Sequence, residues 1–444
     1  MNIVRNNISR SVFLVLSFFI AGVIIVFFLM MPSDEFLPID EMATKVYYVD
    51  NISSAHQKII DRFNQKYTGE IEIIPINLPF SKFSTNERKE LLARALRSKS
   101  NQIDLFTVDV IWVPRFARWC QPLDSYFTVN ERNQLIDHVL TSCYYNDSFY
   151  AIPLYTDISM MYYRSDIINQ LPGAQEIERK IERSLTWQEF IDLHKKFKNH
   201  GITHPFYIFS ADGFEGLTCS FFEGLADIKN EIFFEDSVNL SYPKVTKSLQ
   251  LLIDLVHKYK MSPPEVLNLD EYQGYQYALK NNAIFIRGWP GFLDQYDSTM
   301  KNTAKMQFIK KAPLPHLAGS PLSFVYGGWN FMISKYSSKK KEALTFIRFA
   351  LQEENQKLLF TMGGYIPINK TVYKDSLFIQ ENDELDDYWQ LLQNGVHRPY
   401  MVNYTRISDI MSYYVHTAIK NKMSAYKAIR DMEYSINSQQ TIFK

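Results

Sequence analysis

The sequence predicts an α/β fold in which strands and helices alternate along the chain and form mostly parallel sheets. Short runs of alternating apolar residues are followed repeatedly by segments whose apolar residues recur at helical spacing. The composition is globular over the 444 residues, with 46% hydrophobic and 22% charged side chains. Alternating strands and helices are typical of domains whose ligands bind at the carboxyl ends of the strands.

The chain begins with a predicted transmembrane helix. Residues 1–11 form a leader with two arginines, residues 12–31 an uncharged apolar run, and residues 32–44 a linker with two prolines. Twenty helical residues span about 30 Å, the hydrocarbon thickness of a bilayer. Basic residues before the run and acidic residues after it predict a cytoplasmic N-terminus and an extracytoplasmic remainder. Because the run is longer than an ordinary signal core and lacks a small-residue cleavage site, we favour a retained anchor over a cleaved signal peptide.

The first predicted unit after the linker is β-α-β. The stretch 43–50 alternates as a strand, 53–69 carries a serine N-cap and one apolar helical face, and 70–78 alternates again. An amphipathic helix follows at 86–99. The next apolar run predicts a buried strand with Asp109 at or just past its end.

Later segments continue the alternation. Helices are predicted at 185–199, 243–260 and 339–360, and strands near 283–288 and 328–335. The sequence shows no internal repeat and no low-complexity segment.

Composition and motifs exclude several classes of function. The 48 basic and 48 acidic side chains cancel, so no bulk charge attracts nucleic acid. Three cysteines, Cys120, Cys143 and Cys219, are too few and too widely spaced for a disulfide framework or a zinc site. The histidines show no paired metal spacing, and no P-loop, nucleophile elbow or dinucleotide fingerprint is present. We therefore expect neither metal nor cofactor and no enzyme, although spacing alone does not exclude the carboxylate pair of a glycosidase.

One apolar stretch carries an unexpected carboxylate. The segment Tyr150–Ile167 has the pattern of a buried strand, yet it contains Asp157 directly after Tyr155 and a threonine. Burying an unpaired carboxylate costs several kcal/mol. Either Asp157 is a satisfied structural carboxylate or it faces a cavity that uses it.

The order of local motifs resembles that of the extracellular solute-binding proteins of sugar ABC importers, the maltose and trehalose binders among them. The resemblance covers roughly Lys45 to Ser438 and rests on seven motifs in family order: "YTGEIEI", "VDVIWVPRFARWCQPLDSYF", "YAIPLYTDISMMYYRSDI", "LTWQEF", "RGWPGF", "GGWNFMISKYSSKKKEALTFIRF" and "GGYIPINKTVYKD". No single motif is highly specific, but seven of them in order are.

This resemblance implies a two-lobed periplasmic-binding-protein fold with the ligand in an interlobe cleft. The implied N-terminal lobe comprises residues 45–152 plus about 328–380, and the C-terminal lobe residues 153–327 plus about 381–444. The chain is expected to cross between lobes near Ala151–Leu154 and again near Ser323–Tyr326.

The resemblance also implies which residues bind the ligand. Carboxylates accept strong hydrogen bonds from sugar hydroxyls, and aromatic rings pack on the apolar faces of sugar rings. The residues carried over are Asp109, Tyr155, Asp157, Trp289, Trp329 and Arg398. Three alternatives without a role in ligand binding stay open. Asp157 could be purely structural, Trp329 could belong to the core, and Asp109 could only cap the following turn.

The implied function is the extracytoplasmic substrate-binding component of an ABC transporter. It would capture a sugar or oligosaccharide between its lobes, as a monomer tethered to the cytoplasmic membrane, and deliver it to membrane permease subunits. The alternative is a membrane-tethered ligand-sensing subunit that docks a receptor or sensor kinase.

Overall fold

A computed structural model describes residues 43–99, 102–234, 237–292, 306–322, 324–401 and 403–439. Within these ranges no helix is both long and apolar enough to cross a membrane. The segment 12–31 and nearly all of the linker lie outside the described residues. Membrane anchoring therefore stays a prediction.

The strands form two main sheets and one small hairpin. Their bounds are β1 Thr44–Asp50, β2 Ile71–Asn77, β3 Leu105–Asp109, β4 Tyr144–Tyr145, β5 Ser148–Phe149, β6 Ile152–Ile158, β7 Met160–Arg164, β8 Tyr207–Ile208, β9 Phe285–Gly288, β10 Ile309–Ala312, β11 Phe324–Ile333 and β12 Gly395–Val396. The first sheet has the order β12-β11-β3-β1-β2, with β6 also paired to β11, and the second has the order β10-β7-β9-β8.

Helices surround both sheets. Their bounds are α1 Ser54–Lys66, α2 Thr85–Arg97, α3 Val113–Phe116, α4 Val129–Asn133, α5 Asp137–Leu140, α6 Ser165–Ile168, α7 Ala174–Glu182, α8 Trp187–Asn199, α9 Glu215–Glu223, α10 Lys229–Ile232, α11 Pro243–His257, α12 Glu271–Lys280, α13 Lys340–Ala350, α14 Glu353–Gly363, α15 Ser376–Glu381, α16 Glu384–Gln393, α17 Tyr404–Ile419 and α18 Ala425–Asn437.

The β-α-β prediction is confirmed, but the expectation of mostly parallel sheets is wrong. Strand β1 runs parallel to β2 and β3, and α1 between them begins at the predicted cap, Ser53, which accepts a hydrogen bond from the His56 amide. Strand β11 runs antiparallel to both β3 and β6, and β7 runs antiparallel to β9 and β10. The first sheet is mixed because β11, which returns to it after the chain has built the second sheet, runs antiparallel to β3 and β6.

The predicted helix 339–360 is two helices. Helix α13 ends at Ala350 and α14 begins at Glu353, because Gln352 has the extended backbone angles φ −60° and ψ 144°. The side chain of Asn355 donates to the Phe349 carbonyl at 2.7 Å, so the break leaves this buried acceptor satisfied.

Two neighbouring strands carry the chain between the sheets. It passes from the first sheet to the second at Ser159, between β6 and β7, and returns between β10 and β11. Ser159 and Val325 join these two crossing points through two hydrogen bonds of 3.0 Å, one to a backbone carbonyl and one to the Ser159 hydroxyl. The predicted crossing segment Ser323–Tyr326 contains Val325, although Ser323 itself is outside the described residues. The other predicted segment, Ala151–Leu154, lies at the start of β6, and the chain leaves the first sheet only at the other end of that strand, at Ser159.

The helices form two groups. Helices α13 and α14 pack on α1 beside the first sheet, whereas α9, α11, α17 and α18 pack on one another. The exact lobe boundaries stay a prediction.

Candidate functional site

Strand register brings three of the quoted motifs together. Strand β11 lies between β3 and β6, and Trp329 is the cross-strand partner of Asp109 on one side and of Tyr155 on the other. Two residues earlier, Gly327 lies opposite Asp157. Directly opposed residues project to the same face of a sheet, so these side chains form one continuous surface.

The two glycines before Trp329 permit close packing inside the protein. A Cβ on Gly327 would lie 3.0 Å from the Trp289 ring and 3.1 Å from Cβ of Asp157. Gly328 has a φ of +121°, and a Cβ there would lie 2.7 Å from the Tyr155 carbonyl oxygen. The Trp289 ring and strand β6 thus occupy the space that side chains at these two positions would need.

Trp289 is held by an ionic cluster behind it. Its indole nitrogen donates to Oε1 of Glu271 at 2.7 Å. The Arg287 guanidinium lies 4.6 Å from the centre of the ring and bonds Glu223 at 2.7 Å and Glu271 at 3.3 Å. These contacts fix the plane of the half-buried Trp289 ring.

Arg398 joins the end of β3 in the first sheet to the start of helix α9. Its Nη2 donates to Asp109, at the end of β3, at 2.6 Å, and its Nη1 donates to Glu215, at the start of α9, at 2.8 Å. The Tyr404 hydroxyl donates to Glu215 at 2.8 Å, and the Ser408 hydroxyl donates to its second oxygen. Asp109 also caps the following turn through the Ile111 amide. The capping interpretation and the site interpretation of Asp109 are therefore compatible.

Asp157 is the least satisfied of the site carboxylates. It is 8% exposed, and its Oδ1 oxygen has no hydrogen-bond partner among the described residues. Burial raises the pKa of Asp157 well above its ordinary value, and the carboxylates of Asp109 and Glu271 raise it further. A ligand that donates hydrogen bonds to Asp157 would relieve this cost.

Trp329 has a core side and a cavity side. It is only 7% exposed, and the Arg88 guanidinium lies 4.2 Å from its ring centre. Phe80 and Trp112 contact the ring edge to face at centroid distances of 5.7 and 6.2 Å. Arg88 is itself held by Asp50 at 3.0 Å. The core alternative for Trp329 is therefore correct for most of its surface.

All six predicted site residues line one cavity. The space between protein atoms there is about 670 Å³, including the part open to solvent. The lining comes from the ends of β3 and β9, from β6 and β11, and from the starts of α9 and α12. The complete lining is Phe80, Thr85, Asp109, Tyr155, Asp157, Glu215, Gly216, Cys219, Glu271, Tyr275, Trp289, Pro290, Phe292, Gly327, Gly328, Trp329 and Arg398.

Sequence reasoning missed three charged residues at this site. Glu215 and Glu271 begin helices, where an acidic residue ordinarily interacts with the helix dipole, and Arg287 lies inside a buried strand. Their partners lie far away in the sequence. Arg398 and Glu215 are 183 residues apart, and Arg287 and Glu223 are 64 residues apart. The three described cysteines are free and buried, and Cys219 adjoins the cavity.

A family model describing bacterial extracellular solute-binding proteins matches residues 49–357. The chain belongs to this family. The family is one of extracytoplasmic solute binders and is not an enzyme family. In the part of the chain described, no group of three or more histidine, cysteine, aspartate or glutamate residues is arranged to hold a metal ion.

Three relatives illustrate the family. The maltose-bound MalE3 of T. maritima has a TM-score of 0.77 and 25% identity, over 89% of this chain and all of the other. A probable ABC transporter-binding protein of Deinococcus radiodurans is 23% identical over 359 residues, 79% of this chain and 83% of its own. An arabinooligosaccharide-binding protein of Halalkalibacterium halodurans is 22% identical over 325 residues, 70% of this chain and 68% of its own. The solute-binding protein thus has the two-lobed α/β fold of periplasmic binding proteins, which it shares with MalE3.

Proposed function

We propose that this protein is the extracytoplasmic substrate-binding component of an ABC importer and that it captures a sugar or oligosaccharide between its lobes for delivery to a membrane permease. The observation that carries the proposal is the cavity at the lobe boundary, which all six predicted residues line together. The maltose and arabinooligosaccharide binders among its relatives support a carbohydrate as the solute.

Each group has a role in this binding mode. Asp157 accepts hydrogen bonds from ligand hydroxyls, because its Oδ1 oxygen has no donor among the described residues. The fixed ring of Trp289 offers a flat surface to the apolar face of a sugar, and Trp329 and Tyr155 line the cavity from the first sheet. Arg398 acts mainly by holding Asp109 and Glu215 in place.

A ligand screen tests this proposal. Neutral monosaccharides and oligosaccharides, maltose and arabinooligosaccharides included, are added to the purified protein and its melting temperature is measured. A ligand present at 100 times its dissociation constant stabilises the folded state by about 2.7 kcal/mol, so a true ligand produces a clear shift. Glycerol at the same concentration controls for nonspecific stabilisation. If no sugar shifts melting more than glycerol does, the carbohydrate proposal is wrong.

The predicted N-terminal helix would tether the protein to the membrane. If residues 12–31 are retained, the native protein stays in the membrane fraction after alkaline carbonate washing, because about 30 Å of apolar helix lies in the bilayer. The matched control is a variant that begins at residue 43, which is expected in the soluble fraction. A mature N-terminus sequenced between residues 30 and 41 would show that the segment is cleaved.

A further inference from the structure

Negative charge dominates the lining of the cavity. Four carboxyl groups line it, those of Asp109, Asp157, Glu215 and Glu271, against the single guanidinium of Arg398. Phe80, Trp289 and Trp329 are among the aromatic residues of the lining. The charge balance of the lining is therefore acidic, although the whole chain is neutral.

The arginines near the cavity are already engaged. Arg398 is 2% exposed at its side chain and bonds both Asp109 and Glu215. Arg287, just behind the lining, bonds both Glu223 and Glu271 and covers one face of Trp289. Each guanidinium thus faces two carboxylates, and neither has a full positive charge to offer to a ligand.

The third arginine nearby is also engaged. Arg88 bonds Asp50 at 3.0 Å and lies against the Trp329 ring, away from the lining. Its side chain is only 1% exposed. Arg88 therefore balances Asp50 and leaves the acidic balance of the cavity unchanged.

Asp157 receives no such compensation. No lysine or arginine forms an ion pair with it among the described residues, and the charges that act on it are the carboxylates of Asp109 and Glu271. It lies opposite Gly327, whose missing side chain leaves the carboxylate beside the Trp289 ring. An anionic group placed here would meet three carboxylates, whereas a hydroxyl or an ammonium group would donate to them.

We propose that Asp157, together with Asp109 and Glu271, makes the cavity a charge filter, which binds neutral and amino sugars and rejects sugars that carry a carboxylate. This inference rests on the proposed function, because it takes the solute to be a carbohydrate. Asp157 is the determinant of the filter, since it alone among the three has no cationic partner in the described structure.

The test compares sugars that differ only in charge. Glucose, glucosamine and glucuronate, and the corresponding galactose set, are titrated calorimetrically into the full-length protein at fixed ionic strength. We expect the neutral or amino member to bind at least tenfold more tightly than the uronate. In Asp157→Asn this ratio falls, because an amide at this position does not repel the carboxylate of a uronate. Asp192→Asn, an exposed substitution on α8, is the matched control and keeps the wild-type ratio.

The outcomes separate the two proposals. Uronate binding as tight as that of the neutral sugar overturns the charge filter and leaves carbohydrate capture standing. A tenfold preference that persists unchanged in Asp157→Asn overturns the role of Asp157. If none of these six sugars binds, the charge filter fails, whereas the proposed function fails only if the screen with oligosaccharides is negative as well.

Discussion

Replacing Arg398 with alanine is expected to lower the free energy of unfolding by about 3–5 kcal/mol, the usual cost of removing one partner of a buried ion pair. Arg398 is almost fully buried and holds Asp109 and Glu215, which would be left as uncompensated buried carboxylates. Chemical denaturation of the ligand-free protein measures the loss. Adding Glu215→Gln to Arg398→Ala should recover part of the lost stability, since one of the two carboxylates left without a cationic partner is then absent.

The control for this variant is Arg115→Ala. Arg115 pairs with Glu90 at 2.9 Å, but both side chains are partly exposed, so its loss should cost less than about 1 kcal/mol. If the two alanine variants unfold at the same denaturant concentration, Arg398 does not join the two parts of the protein as the structure indicates.

The two cavity tryptophans should respond differently to truncation. Trp329→Ala is expected to lose about 3–5 kcal/mol of folding stability, because Arg88, Phe80 and Trp112 pack around the ring. Trp289→Ala should lose less stability and proportionally more sugar affinity, since its ring is half-buried and faces the cavity. Denaturation midpoints and dissociation constants, measured for both variants, separate the two effects.

Each tryptophan variant serves as the control for the other. The prediction is contradicted if Trp329→Ala unfolds like the wild type or if Trp289→Ala binds sugar with unchanged affinity. The first result would place Trp329 outside the core. The second would remove Trp289 from the ligand site.

Local patterns predicted the parts of the fold that depend on local interactions. The serine cap of α1 and the position of Asp109 at the end of β3 follow from residues within a few positions of each other. The break at Gln352 could not be predicted in this way, because the apolar pattern of a helix continues through it. The side chain of Asn355, which donates to the carbonyl of Phe349, also suits a continuous helix.

The candidate site, too, was predictable only in part. Motif order located Asp157 and Trp289, and strand register explains why such distant motifs meet. The sequence did not reveal that Glu215, Glu271 and Arg287 form the charged surroundings of the site. Their roles depend on helix packing and on pairs that are 16 to 183 residues apart.

The affinity of Asp157→Asn for the sugar identified by the screen tests the central claim most directly. The pKa of Asp157 is raised in the folded protein, so the stability associated with this group is present at low pH and is lost as pH rises past the ordinary carboxyl range. At pH 7 the ligand-free Asp157→Asn protein should therefore be at least as stable as the wild type. Calorimetric titration should nevertheless show binding weaker by about 1.5–3 kcal/mol, the value of hydrogen bonds to a charged group. Unchanged affinity in a variant that folds normally would contradict the assignment of this cavity as the solute site.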